Sequence, residues 1–296
     1  MKYPRGAPAD SLTLPVERPN RDYRTEKPVS DSVFRILQRF YAYDRTELKA
    51  KTESTDESSP YWRAERITFD AAYDHQRVIA WLYLPRNAKP PYQTIVFFPS
   101  GHALTVGSID EAEIKRMDFL MRSGRAVVFP EYQGTFERRP HTPPGPSGER
   151  DQTIQQSKDL QRSVDYLETR PDIAHDRLGL FSISGGSHKA LIALPQEPRI
   201  RAAVLAELGL PAVRKQPEVD LINFAPRVRI PVLMLNGRYS FPLPVETSQV
   251  PMFRLLGTPE KDKRHVLFES GSRGPTQQYI KETLDWFDRY LGPVSR

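Results

Sequence analysis

The sequence contains no cysteine. That absence excludes a disulfide framework, a thiolate-held zinc or iron–sulfur centre and a cysteine nucleophile. Any metal site would have to be built from histidine and carboxylates, and no His/Asp/Glu spacing in the chain has that form, so no metal and no cofactor are expected. Long apolar runs are missing too. The longest, such as Ile79–Leu84, extend over about six residues, against the ~20 that a membrane-spanning helix requires. The first ten residues carry one lysine and one arginine with no apolar stretch behind them. This is not the layout of a secretory signal, and a cytoplasmic location is the resulting expectation. Single-sign charge blocks are scarce as well. The chain is basic, with 43 Lys+Arg against 37 Asp+Glu and a net charge of +6, yet its basic residues are interspersed with acids, as at Lys261-Asp262-Lys263-Arg264. Such a distribution argues for a solvated surface and against a nucleic-acid or membrane partner. A small molecule is the expected partner, and homodimer formation stays open.

What is present is a core. With 296 residues, 38% of them hydrophobic and 10% aromatic, the chain can fill one large α/β domain or two small ones. Residues 1–29 hold five prolines and scattered apolar residues, which suits an extended arm on the body or a disordered tail. From Ser30 the spacing of Val33, Phe34, Ile36, Leu37, Phe40 and Tyr41 predicts a helix to about Asp44, capped by Ser30 or Ser32. A polar stretch, Lys49 to Pro60, leads into two β-rich runs, 65–73 and 77–85, around Asp74-His75-Gln76, a hairpin signal. Short apolar strands then follow at 94–99, 126–130, 178–182, 202–207, 231–236 and 265–269. Helical segments around 108–123, 150–169, 186–195, 246–256 and 276–291 alternate with them. Continuous apolar runs separated by helices predict a parallel sheet covered on both faces. Residues 30–296 are therefore expected to form a single three-layer αβα domain around a mostly parallel sheet of about eight strands. The Pro/Gly-rich insertion at 132–148 could lie over the pocket as a lid.

In such sheets chemistry sits at the carboxyl ends of the strands. Leu180-Phe181-Ser182-Ile183-Ser184-Gly185-Gly186-Ser187 is a strand turning sharply into a helix. A nucleophile elbow needs small residues two before and two after its nucleophile, and Ser182 and Gly186 meet that need around Ser184, with serine in place of the usual first glycine. Taken alone, the segment fits a Ser/Gly-rich strand-to-helix connection equally well.

Its surroundings tip the balance. Thr94-Ile95-Val96-Phe97-Phe98-Pro99-Ser100-Gly101-His102-Ala103, Tyr166–Ile173, Asp176–Leu180, Ile230-Pro231-Val232-Leu233-Met234-Leu235-Asn236-Gly237-Arg238-Tyr239 and Leu256–Arg264 occur in order. Together with the elbow, they resemble the α/β-hydrolase superfamily in its dienelactone-hydrolase and acetyl-xylan-esterase-like branch, which also occurs fused to bacterial kinases. The resemblance covers roughly residue 60 to the C-terminus. It implies an α/β-hydrolase fold, cofactor-free hydrolysis of a carboxylic ester or lactone, Ser184 as nucleophile, and an oxyanion hole from the amide of Gly185 with that of Gly101 or His102.

The resemblance also locates two departures. The acid of that branch follows Asn-Gly-Arg-Tyr, where this chain has Ser240, and its base follows a glycine at the last strand, where this chain has Gly271-Ser272. Serine can serve as neither base nor orienting acid at pH 7. Three explanations stand: acid and base have moved, with Glu207, Glu131 and His102 as strand-end candidates; the pocket serves chemistry without an acyl-enzyme, with Glu131 or Glu207 as acid/base group; or the protein is a silent pseudo-hydrolase that only binds a small molecule. His188, one helical turn after Ser184, reads as a packed or surface histidine, His265 as structural, His75 and His175 as turn residues, and His141 as part of the insertion.

Overall fold

The computed structural model describes residues 21–139, 147–271, 274 and 276–294. Nine strands form one sheet: β1 (Lys51–Asp56), β2 (Trp62–Asp70), β3 (Arg77–Pro85), β4 (Tyr92–Phe98), β5 (Ala126–Glu131), β6 (Ile173–Ile183), β7 (Ile200–Ala206), β8 (Val232–Gly237) and β9 (Lys263–Phe268). Their spatial order is β1-β2-β3-β5-β4-β6-β7-β8-β9. β1 to β3 and the β3–β5 pair are antiparallel, and every pair from β5 to β9 is parallel.

The sheet has one strand more than the sequence predicts. β1 lies in the polar stretch that leads into the hairpin, and all six of its residues are exposed. A charged strand paired only to β2, through registers such as Lys51↔Thr68, has no apolar face to announce it; its charges blunt the sheet edge against further pairing. The first helix is shorter than predicted. α1 runs Asp31–Gln38 with Ser30 Oγ accepting from Val33 N, and tightens into a 3₁₀ turn at Arg39–Tyr41.

Alternation along the strands builds two cores. On one face Leu180, Val96, Val128 and Leu205 pack under α1, α4 (Gly148–Glu168) and α5 (Gly185–Ala193). On the other, Phe97, Phe129 and Phe181 meet residues from α3 (Asp118–Arg122) and α8 (Thr276–Leu291). The short helix α2 (Glu111–Lys115) precedes α3. Each of these buried side chains contributes about 1.5–3 kcal/mol. The central strands are therefore fixed, and so are their carboxyl ends.

Residues 21–29 lie along the body. Arg21 Nη1 meets Asp220 Oδ1 at 2.9 Å, Val29 N donates to Asn223 Oδ1 at 3.0 Å, and the Tyr23 hydroxyl donates to the Pro211 carbonyl. Residues 1–20, the centre of the 132–148 insertion including His141, and Ser272 lie outside the described residues.

Candidate active site

Ser184 leaves β6 with φ 56° and ψ −123°, as the N-cap of α5. A non-glycine residue in this region costs of order 1–3 kcal/mol and persists only where its surroundings over-determine it. Here they do. Ser184 N donates to Ala206 O (2.9 Å) and Ser187 N to Ser184 O (2.8 Å), so both sides of the turn are held. Below it, Ser187 Oγ donates to Ala206 O at 2.6 Å and lies 3.0 Å from Ser182 Oγ. That network gives the buried Ser182 hydroxyl a partner, which accounts for serine being tolerated where glycine is usual.

Gly186, two residues after Ser184, has no room for a side chain. A Cβ on Gly186 would lie 2.1 Å from Pro99 O and 2.8 Å from Phe98 O, and one on Gly185 would lie 3.5 Å from Gly101 N. The start of α5 is thus pressed against the exit of β4, bringing the Gly185 and Gly101 backbones side by side.

His102 follows Gly101 in a 3₁₀ turn, Gly101–Leu104, and is exposed. Its Nδ1 lies 3.4 Å from Thr105 Oγ1, which itself donates to His102 O at 2.8 Å. Because the single hydroxyl hydrogen of Thr105 is engaged there, Thr105 Oγ1 can only accept from Nδ1–H. That tautomer leaves Nε2 as the basic nitrogen.

Glu207 ends β7 opposite the elbow, one step beyond the Ile183↔Ala206 pair. It too has φ 56°, and its N–H donates to Leu235 O at 2.8 Å. Two adjacent strands therefore end in strained, non-glycine polar residues.

Glu131 is placed differently. Its side chain is buried, its Oε2 accepts from Glu137 N at 3.1 Å, and the Trp81 side chain also donates to it. The partners belong to β3 and to the turn after β5, not to the elbow. Burial, reinforced by the charge of Glu137, pushes its pKa up to about 7. Beside it a second buried network fixes that turn to α4: Asp159 Oδ2 receives Arg138 Nη1 (2.6 Å) and Gln133 N (2.8 Å), and Asp159 Oδ1 receives the Tyr73 hydroxyl (2.7 Å). Sequence reading missed this Arg138–Asp159–Tyr73 group, because three polar residues far apart in the chain carry no local pattern.

The raised pKa of Glu131 has a stability consequence. Between pH 4.5 and about 7 the folded protein holds a proton that the unfolded chain has released, so stability falls as pH rises through that window. At ~1.4 kcal/mol per unit the loss is at most about 3.5 kcal/mol. Glu131→Gln, whose carbonyl can still accept from Glu137 N, is expected to remove this slope. Denaturant melts of both proteins at pH 5 and pH 8 check it: the variant gains relative to the parent at pH 8, and equal pH dependence would contradict the assignment.

The exits of β8 and β9 also touch. Tyr239 N donates to Ser270 O at 3.0 Å, and Gln249 Nε2 braces the loop by donating to Gly237 O and Leu243 O. Ser240, buried, sits on this loop. His188 Nε2 is sealed without a partner; the ring donates a hydrogen bond to the Gly209 carbonyl, and burial together with the charges of Lys189 and Lys215 pulls its pKa down to about 4. His265 lies against the Phe253 ring on β9. Among the described residues no cluster of His, Asp and Glu could hold a metal, and no helix is long and apolar enough to cross a membrane.

No protein-family model and no curated protein sequence matches the chain. Solved structures do. Acetyl xylan esterase 1 from Thermoanaerobacterium sp. JW/SL YS485 superposes with a TM-score of 0.70 at 14% identity, over 95% of this chain and 98% of its own. An acetyl xylan esterase from Paenibacillus sp. R4 gives 0.68 at 16%, over 94% and 100%. A glucuronoyl esterase from Solibacter usitatus gives 0.59 at 14%, also over 94% and 100%. With the strand order above, these superpositions establish the α/β-hydrolase fold.

Proposed function

We propose that this protein acts on a carboxylic ester or related carbonyl substrate, with Ser184 as the nucleophile and a relocated base. The observation that carries this reading is the Ser184 turn itself, at φ 56° and ψ −123° beside the apposed Gly185 and Gly101 backbones. Strain of this kind has no packing benefit and is maintained here by hydrogen bonds on both sides. That the superposed structures are esterases supports the same reading.

In this mechanism His102 Nε2 takes the proton from Ser184 Oγ as that oxygen attacks the carbonyl carbon. The Gly185 and Gly101 amides receive the developing oxyanion, and the imidazolium returns its proton to the departing alcohol. Water, deprotonated by the same imidazole, then releases the acid from Ser184. Thr105 orients the ring through Nδ1, in place of the acid absent at Ser240. A hydroxyl partner on Nδ1 stabilises that cation less than a carboxylate does, so a slow esterase is the expected phenotype.

A positioned general base contributes about 10²–10⁴-fold. His102→Gln is therefore expected to lower kcat/KM for p-nitrophenyl acetate by at least ~10²-fold. Thr105→Val should lower it less, shifting the acidic limb of the pH profile, which reports the general base. The second reading, a silent pseudo-hydrolase that only binds, is favoured by the serine at position 240. Equal rates for the parent protein, His102→Gln and Ser184→Ala would support it and contradict the first.

A further inference from the structure

A cavity of about 390 Å³ opens beside the elbow, on the face of the sheet that carries α3 and α8. Ile183, the residue directly before Ser184, forms part of its wall, together with Ala112, Phe119, Tyr279 and Ile280. Two of these side chains are held by a common neighbour. Phe119 and Tyr279 stand edge-on to Phe181, with ring centroids 5.6 Å and 5.9 Å away, so β6 positions both the cavity wall and the nucleophile. From the other side comes α2, which follows the turn carrying Gly101 and His102; between them Val106 and Ile109 pack half-buried on the same core. The charged groups of the wall already have partners. Lys115 Nζ lies 2.8 Å from Glu111 Oε1, and Arg116 Nε lies 3.1 Å from Glu113 Oε1. The charge of His102 also acts on the Glu113 carboxylate, which puts this wall within electrostatic reach of the proposed base.

We infer that this cavity is the acyl pocket of the site, and that the substrate is an ester of an uncharged, medium-length apolar acid. The inference rests on Ser184 acting as proposed above. His102 has to protonate the leaving alcohol and is exposed, so the alcohol lies toward solvent and the recessed side is left for the acyl chain. An acetyl group has one carbon beyond its carbonyl and would leave most of the volume empty, since a water-sized group takes up only ~30 Å³. A hexanoyl chain has five, and placing them against Phe119, Ile183 and Ile280 removes their surface from water. A carboxylate at the far end of the chain would instead lose its hydration and meet Lys115 and Arg116 already neutralised by Glu111 and Glu113.

The test compares p-nitrophenyl hexanoate with p-nitrophenyl acetate. One methylene in an apolar pocket is worth roughly 10-fold or more, so kcat/KM for the hexanoate is expected to exceed that for the acetate by at least ~10²-fold. Ile280→Trp fills the cavity from α8 and Ala112→Phe fills it from α2. Either should bring the ratio below ~10, and the second, at an exposed position, serves if the first does not fold. A binding measurement separates the pocket from the chemistry. Calorimetric titration of Ser184→Ala is expected to show ethyl hexanoate bound at least ~10-fold more tightly than the monoethyl ester of hexanedioic acid, with the difference lost when Ile280→Trp is added. That preference without any Ser184-dependent hydrolysis would support the pocket and overturn the proposed function. Ser184-dependent hydrolysis at equal rates for the two p-nitrophenyl esters would do the reverse. A hexanoate preference that survives in both cavity variants, no heat with ethyl hexanoate up to millimolar concentration, or equal or tighter binding of the charged ester would likewise overturn the inference.

Discussion

Gly186→Ala is expected to destabilise the protein by about 3 kcal/mol and to abolish any reactivity of Ser184, whereas Gly185→Ala should cost less than about 1 kcal/mol. The contrast follows from what each added methyl group meets. At Gly186 it would fall 2.1 Å from Pro99 O, 2.8 Å from Phe98 O and 3.0 Å from Pro99 C. All three are backbone atoms, so no rotamer change relieves the overlap. The start of α5 has to move away from the exit of β4, and this motion separates the Gly185 and Gly101 amides. At Gly185 the nearest atoms are Gly101 N at 3.5 Å and Gly101 Cα at 3.7 Å, an ordinary van der Waals contact. Denaturant unfolding of the two variants beside the parent protein measures the difference. Equal stability of Gly186→Ala and Gly185→Ala would mean that the β4 exit and α5 are not packed as described.

The second large effect is a gain. Ser240→Asp combined with Ser272→His should raise ester hydrolysis by at least ~10²-fold, because a general base would then stand where the resemblance places it. The β8 and β9 exits are already held together. A Cβ on Gly237 would lie 2.6 Å from Ser270 O and 2.7 Å from Gly271 O, and Arg238 N donates to Phe268 O at 2.8 Å. Steady-state kcat/KM on short p-nitrophenyl esters checks the expectation. No gain in a folded double variant would mean that the substrate pocket has departed from acyl transfer, which contradicts the proposed function.

The parts of the molecule legible in the sequence were those with a local signature. The apolar runs at 94–99, 126–130 and 202–207 became β4, β5 and β7 within a few residues, since a doubly covered strand has to be apolar on both sides. The elbow was legible because its small residues sit at fixed offsets from Ser184. What escaped were features whose meaning is tertiary. β1 is all polar and pairs on one side only. Glu131 sits at a strand end, as an acid/base group would, and only the fold shows its carboxylate turned toward Trp81 and the Glu137 amide. The contact of His102 Nδ1 with Thr105 Oγ1 and the pairing of Arg116 with Glu113 likewise depend on proximity that no spacing rule encodes.

The proposed function depends on Ser184 being a nucleophile. Incubating the protein with a fluorophosphonate ester and measuring intact mass, followed by peptide mapping, tests that directly. Stoichiometric addition on Ser184, absent in Ser184→Ala and slowed in His102→Gln, is the predicted result. An unmodified protein that nevertheless remains folded, with its background ester hydrolysis unchanged in Ser184→Ala, would contradict it.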